Sequence, residues 1–176
     1  MEFSNAAIDL TALPKAEDVR LQPIEPSYWK VLQLEWLITV TILAVTEGAA
    51  IFFIRPLQQP WIIALMGGGW LLIAIVYYTL IYQSFKRRAY ALRERDVLSR
   101  TGWIVRELEV CPFNRIQHCS VHAGPLERKF GLASISLYTA GSEGADFRIP
   151  GLKEETASSI REFIMQKIKT DEPAAH

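Results

Sequence analysis

The chain has 176 residues and 19 basic against 19 acidic side chains, so no net charge marks it as a nucleic-acid binder or a partner of acidic macromolecules. Two cysteines are too few for the disulfide framework of a small secreted domain. Apolar residues make up an ordinary 50%, but they are concentrated in two long runs around which the rest of the chain must be arranged.

Residues 1–27 are polar and interrupted by Pro14, Pro23 and Pro26, which break any long helix. They read as an N-terminal arm, with Ile8, Leu10, Leu13, Val19, Leu21 and Ile24 available to dock on a folded domain. The start lacks a basic segment followed by an apolar run and does not read as a signal peptide.

The first apolar run is WLITVTILAVTEGAAIFFI, residues 36–54. The second is WIIALMGGGWLLIAIVYYTLIY, residues 61–82. Each is close to the roughly 20 helical residues that cross a hydrocarbon core of about 30 Å. In lipid a lone pair of spans must be helical, because only a helix satisfies its own backbone. The break RPLQQP is short, so a transmembrane helical hairpin is expected over residues 28–85, with spans at about 34–54 and 61–82. Tyr28, Trp29 and Lys30 suit one headgroup layer, and Trp61 anchors the return. The loop carries a single basic residue, Arg55, whereas Lys86, Arg87, Arg88, Arg93 and Arg95 follow the second span and Lys15, Arg20 and Lys30 precede the first. The positive-inside rule places both termini in the cytoplasm.

Glu47 interrupts the first span. Counting an equal depth down the second span lands on Gly67, Gly68 and Gly69, where small residues permit close approach and a carboxyl can hydrogen-bond across. Glu47 is thus either a structural contact in the hairpin or an oligomer seam, or a functional proton or ligand site.

Beyond the basic collar the hydrophobic period changes from 3.6 to 2. The segments 90–96, 97–102, 103–110, 111–115 and 116–122 read as strand-like runs bounded by turn residues, with a tight turn at Gly102. Over residues 104–110, alternation assigns Ile104, Arg106, Leu108 and Val110 to one face, and Val105, Glu107 and Glu109 to the other. Gly124 and Gly131 bracket a short helix or turn. Residues 134–141 and 146–150 read as further strands around the loop GSEG. Ala157, Ile160, Ile164 and Ile168 then recur at helical spacing beside Phe163, with Glu154 and Glu155 in the first turn and Lys167 and Lys169 in the last. About six antiparallel strands closed by one amphipathic helix is an α+β plan, with the soluble domain at 86–170 and a tail at 171–176.

The run CPFNRIQHCSVHAGPLERKFGLASISLYTAG resembles the bacterial pleckstrin-homology-like (PH-like) domain of small membrane proteins of the YdbS type. The parts that carry the resemblance are Pro112, Arg115, Ile116 and Gln117, then Gly124, Pro125, Leu126, Arg128, Phe130 and Gly131, then Tyr138, Thr139, Ala140 and Gly141, and the closing IPGL at 149–152. The resemblance covers residues from about Tyr28 to Ile168. It implies a two-helix transmembrane hairpin followed by a seven-stranded, strongly bent antiparallel sheet or barrel capped by a C-terminal helix, in the bacterial inner membrane. It also implies a partner that is a larger membrane protein with further copies of the domain, or self-association, and a role in envelope stress or resistance to membrane-active compounds.

Catalysis is not expected. Cys111, His118, Cys119 and His122 lack a CxxC pair, and His118 and His122 lie about 13 Å apart on an extended strand, too far for one metal. No nucleophile elbow or paired carboxylate stands out, and no cofactor motif is present. Arg115, Gln117, Glu127 and Arg128 form a candidate partner surface or else brace turns and edges. The collar Lys86, Arg87, Arg88, Arg93 and Arg95 is a candidate headgroup or topology site. Three functions are carried forward: a scaffold presenting a sheet edge to a protein, a sensor of anionic membrane lipids, and a subunit of an oligomeric channel or transporter.

Overall fold

The computed structural model describes residues 19–139 and 147–171, with side chains as far as residue 168. Two long helices, α1 (Tyr28–Phe53) and α2 (Pro60–Arg87), are joined by a 3-10 turn at Arg55–Gln58. Prolines set the boundaries. Pro56 has no N–H to offer the Phe52 carbonyl, which accepts from the Gln58 side chain at 3.0 Å instead, and Ile54 is already extended at φ −108°. Pro60 opens α2 at a position whose missing N–H costs nothing. Both helices are long and apolar enough to cross a membrane, and large apolar side chains such as Ile42, Leu65 and Leu72 point outward, as lipid-facing residues do.

The helices join most tightly at the end near the folded domain. Trp36 Nε1 donates to the Ala74 carbonyl at 3.1 Å, and Gln33 Nε2 donates to the Tyr78 hydroxyl at 3.4 Å. The Trp29 ring lies 5.2 to 5.5 Å from the rings of Tyr78, Tyr82 and Phe85, within the range of favourable aromatic pairs.

The domain has two antiparallel sheets. The first has the order β1 (Gln22–Pro23), β2 (Ala89–Leu92), β3 (Asp96–Thr101), β4 (Glu107–Pro112). The second has β5 (Ile116–His122), β6 (Leu132–Thr139) and β7 (Phe147–Lys153). A short helix α3 (Pro125–Lys129) links β5 to β6, between the two expected glycines. Helix α4 (Glu154–Asp171) closes the fold. Its stripe Ala157, Ile160 and Ile164 is buried, and Phe163 meets Phe113 edge-on at 6.0 Å. Alternate residues of β6 and β7, including Ile135, Leu137, Ile149 and Phe147, fill the centre. Ala140, Gly141, the GSEG loop, Ile8, Leu10, Leu13, the side chain of Lys169 and the tail beyond residue 171 lie outside the described residues.

Two expectations are corrected here. The domain does not begin after the hairpin. Its first strand comes from ahead of the hairpin, with Gln22 opposite Tyr90 and Pro23 opposite Ala89. Ile24, Tyr28, Val31 and Leu32 are buried in the same core as Leu132, Ile149 and Leu152. The boundaries at 27 and 85 therefore cut through a single core, and Tyr28 is a core residue. Of the strand-like runs expected in the C-terminal half, 111–115 is no strand of its own, because β4 ends at Pro112 and a 3-10 turn spans Phe113–Arg115; the seventh strand is β1.

The second correction concerns residues 103–110. Thr101 pairs with Glu107, which leaves 102–106 as a turn, with Gly102 at φ +80°. A Cβ there would sit 1.8 Å from the Val105 carbonyl oxygen, so glycine is required. The strand begins only at Glu107, and its parity is the reverse of the expected one. Cys111 is 6% exposed and lies with its neighbour Val97 in the core cluster, so the inward set is Glu109 and Cys111 while Leu108 and Val110 face out, 37% and 44% exposed.

Candidate functional site

The five-residue basic collar does not form one surface. Chain direction explains why. β2 leaves the end of α2, and Arg93 and Arg95 lie beyond its far end, about 13 Å away at ~3.3 Å per residue. There Arg93 closes the β2–β3 turn through a two-pronged ion pair with Asp96. The Arg95 carbonyl accepts from the Phe113 N–H at 3.0 Å. Lys86, Arg87 and Arg88 stay at the helix end. The Lys86 ammonium lies 4.3 Å from the Tyr82 ring centroid, and the Arg88 guanidinium 5.9 Å from that of Tyr28.

β3 then runs back. Ala89 pairs with Arg100, and Arg100 Nε donates to the Arg87 carbonyl at 3.3 Å. This brings Arg87, Arg100 and Arg106 around a cleft of about 630 Å³ whose other walls are Leu21, residues 101–102, Glu107 and Leu108. Three arginines against one carboxylate give the cleft a net positive lining, the balance that suits an anionic oxygen group, since guanidinium forks match phosphate geometry. Beside it stand Trp103, Ile104 and Val105, the last two 74% and 77% exposed.

The candidate partner surface also separates. Arg115 and Gln117 are exposed at the start of β5, with Gln117 at a register shift. Glu127 and Arg128 follow its other end, about 20 Å away for a seven-residue strand. Glu127 is buried. Its Oε2 accepts from the Gly124 N–H at 2.9 Å and its Oε1 from the Ser134 hydroxyl at 2.6 Å. Arg148 donates to the same Ser134 oxygen at 3.3 Å. Glu127 thus ties α3 to the second sheet, while Arg128 is exposed.

Within the hairpin Gly67, Gly68 and Gly69 do not make the close approach expected with Glu47. A Cβ added at any of them would meet nothing within 4 Å. The contacts of Gln33 with Tyr78 and Trp36 with Ala74 set the register, which puts half-exposed Glu47 opposite about Ile63 rather than the glycines.

Cys119 is buried in the core. Burial pushes its thiol up to about 11, partly offset by Arg161. The raised value means the protonated thiol suits the fold. The associated stability is fully present below the ordinary value of 9 and is lost as pH rises through about 11. At pH 8 its thiolate fraction should fall about 100-fold relative to an ordinary cysteine. Counting alkylated thiols by mass spectrometry should find Cys119 unmodified in the native chain and fully modified in denaturant. Rapid native labelling would contradict the burial.

The family model described as "Bacterial PH domain" matches residues 31–168. The chain belongs to the bacterial PH domain family. This bacterial PH domain protein is also 30% identical over 151 residues to the UPF0699 transmembrane protein YdbS of Bacillus subtilis (strain 168), spanning 83% of this chain and 93% of that one. No solved structure matches the chain. The family and the relative, together with two lipid-length helices, make it a transmembrane protein carrying a PH-like domain.

Arg100, Arg106, Trp103, Ile104 and Val105 escaped the sequence reading of the site. The available signal was GWIVR itself: three large apolar residues in succession after a turn glycine do not alternate.

Proposed function

We propose that this protein is an adaptor of the bacterial cytoplasmic membrane. Its hairpin anchors the PH-like domain at the cytoplasmic face, and the domain presents the edge of β4 to a protein that adds a strand. The partner is a larger membrane protein with related domains, or a second copy of this chain. The observation that carries the reading is the position of β4. It is the outermost strand of its sheet among the described residues, and Leu108 and Val110 project outward from it. Open edges with exposed apolar side chains accept added strands, with the main chain giving affinity and the side chains selectivity. The basic flanks around a loop with only Arg55 support the orientation.

A charged edge blocks strand addition. The variant Leu108→Lys/Val110→Lys, purified in mild detergent, should lose a co-purifying membrane protein or its own dimer at least tenfold while keeping its melting temperature. Undiminished recovery would end the edge-strand reading. For the orientation, a thiol placed by Gln58→Cys should react with an impermeant maleimide from outside intact cells. Reaction only after lysis would reverse the topology.

A further inference from the structure

The β3–β4 turn stands apart from the edge-strand reading. Pairing of Ala89 with Arg100 holds the end of β3 level with the residue just past α2, whose last residue is Arg87. The bond from Arg100 to the Arg87 carbonyl fixes that closeness. The turn is thus held beside the last turn of α2, about five residues or ~7.5 Å past the span's expected end at Tyr82 and so at headgroup depth, while the β2–β3 turn lies at the other end of the strands.

At that level the chain exposes Trp103, Ile104 and Val105 in succession. In a water-exposed loop such a cluster would be costly; at a lipid interface it is favourable, and tryptophan is enriched there. The three arginines that line the adjacent cleft are Arg87, Arg100 and Arg106. Arg100 and Arg106 flank the turn in sequence, so basic groups surround an apolar tip, the pattern of interfacial anchors on anionic lipid.

We propose that residues 102–106 form a second membrane contact. Trp103, Ile104 and Val105 enter the headgroup layer of the bilayer that the hairpin spans, and Arg87, Arg100 and Arg106 bind anionic phospholipid phosphates. The domain is then fixed at two points, α2 and the turn, and cannot swing about residue 88. Its orientation, and that of the β4 edge, responds to the anionic lipid content of the inner leaflet.

The test uses the full chain in nanodiscs of zwitterionic lipid with and without about one quarter anionic lipid. A spin label is placed by Ile104→Cys, and in a separate variant by Glu94→Cys in the distal turn. With anionic lipid, the label at 104 should collide roughly tenfold less with a water-soluble nickel chelate than the label at 94, and more with oxygen, as for a site about 5–10 Å into the interface. Without anionic lipid, or with Arg87→Gln/Arg100→Gln/Arg106→Gln, the protection should drop severalfold. Equal chelate access at 104 and 94 would overturn the membrane contact. Protection from both chelate and oxygen would overturn it in favour of a protein covering the turn. Protection independent of anionic lipid and of the arginines would overturn the phosphate assignment.

Discussion

Gly151→Val should lower the melting temperature of the full chain in mild detergent by roughly 5–20 °C. Two costs combine. Gly151 has φ +67°, a left-handed conformation that costs an ordinary residue about 1–2 kcal/mol and a β-branched one more. A Cβ would also lie 2.5 Å from Tyr28 Cγ and 2.8 Å from Tyr28 Cβ, and overpacking of this kind costs about 1–3 kcal/mol. The sum is about 2–5 kcal/mol, and each kcal/mol moves the midpoint of a chain this size by about 2–4 °C.

Gly151 matters because it joins the two parts of the molecule. Its carbonyl accepts from the Glu25 N–H at 2.9 Å, and its α-carbon faces the buried ring at the base of α1. Removing the ring with Tyr28→Ala should relieve the contact with Cγ but leave the 2.8 Å approach to Cβ and the backbone strain. The double variant should therefore lose less than the two single losses added together. An unchanged melting temperature for Gly151→Val would mean that the base of α1 does not dock on β7.

Glu127→Ala should cost about 3–5 kcal/mol, read as the shift of the same thermal transition. Hydrogen bonds to a charged group contribute about 1.5–3 kcal/mol each, and the substitution strands the donors on Gly124 and Ser134. Glu127→Gln keeps one acceptor and should cost less. Arg128→Ala, its exposed neighbour, should change stability by less than about 0.5 kcal/mol. If Glu127→Ala melted like the native chain, the carboxylate would not be a brace and the paired surface with Arg128 would return as a candidate.

These two residues show why part of the site could be read from the sequence and part could not. Glu127 and Arg128 are adjacent letters with similar polarity, and no local pattern separates a buried brace from an exposed cation. The difference comes from Ser134 and Arg148, which arrive on β6 and β7. The basic collar divides into two groups for the same reason. Arg87 and Arg93 are near in sequence, but β2 carries Arg93 away, and β3 returns Arg100 in its place. Leu108 and Val110 looked like core because apolar letters at every second position usually are. The placement of Cys111 and its neighbour Val97 in the core cluster set the opposite parity.

Sequence by itself determined the hairpin, the amphipathic α4, the turns at Gly102, Gly124 and Gly131, and the family. All are local: crossing lipid depends on the length and apolarity of one segment, a helical stripe on the period of one helix, and a turn on one residue's backbone freedom. Only the tertiary structure decided that β1 and the base of α1 belong to the domain core, which arginines share a cleft, and why residue 151 must be glycine. Those facts depend on contacts between segments separated by the whole hairpin. Gln22 meets Tyr90 and Tyr28 meets Gly151 only once the chain has gone out and back, and a linear pattern holds no record of which distant surface a residue will touch.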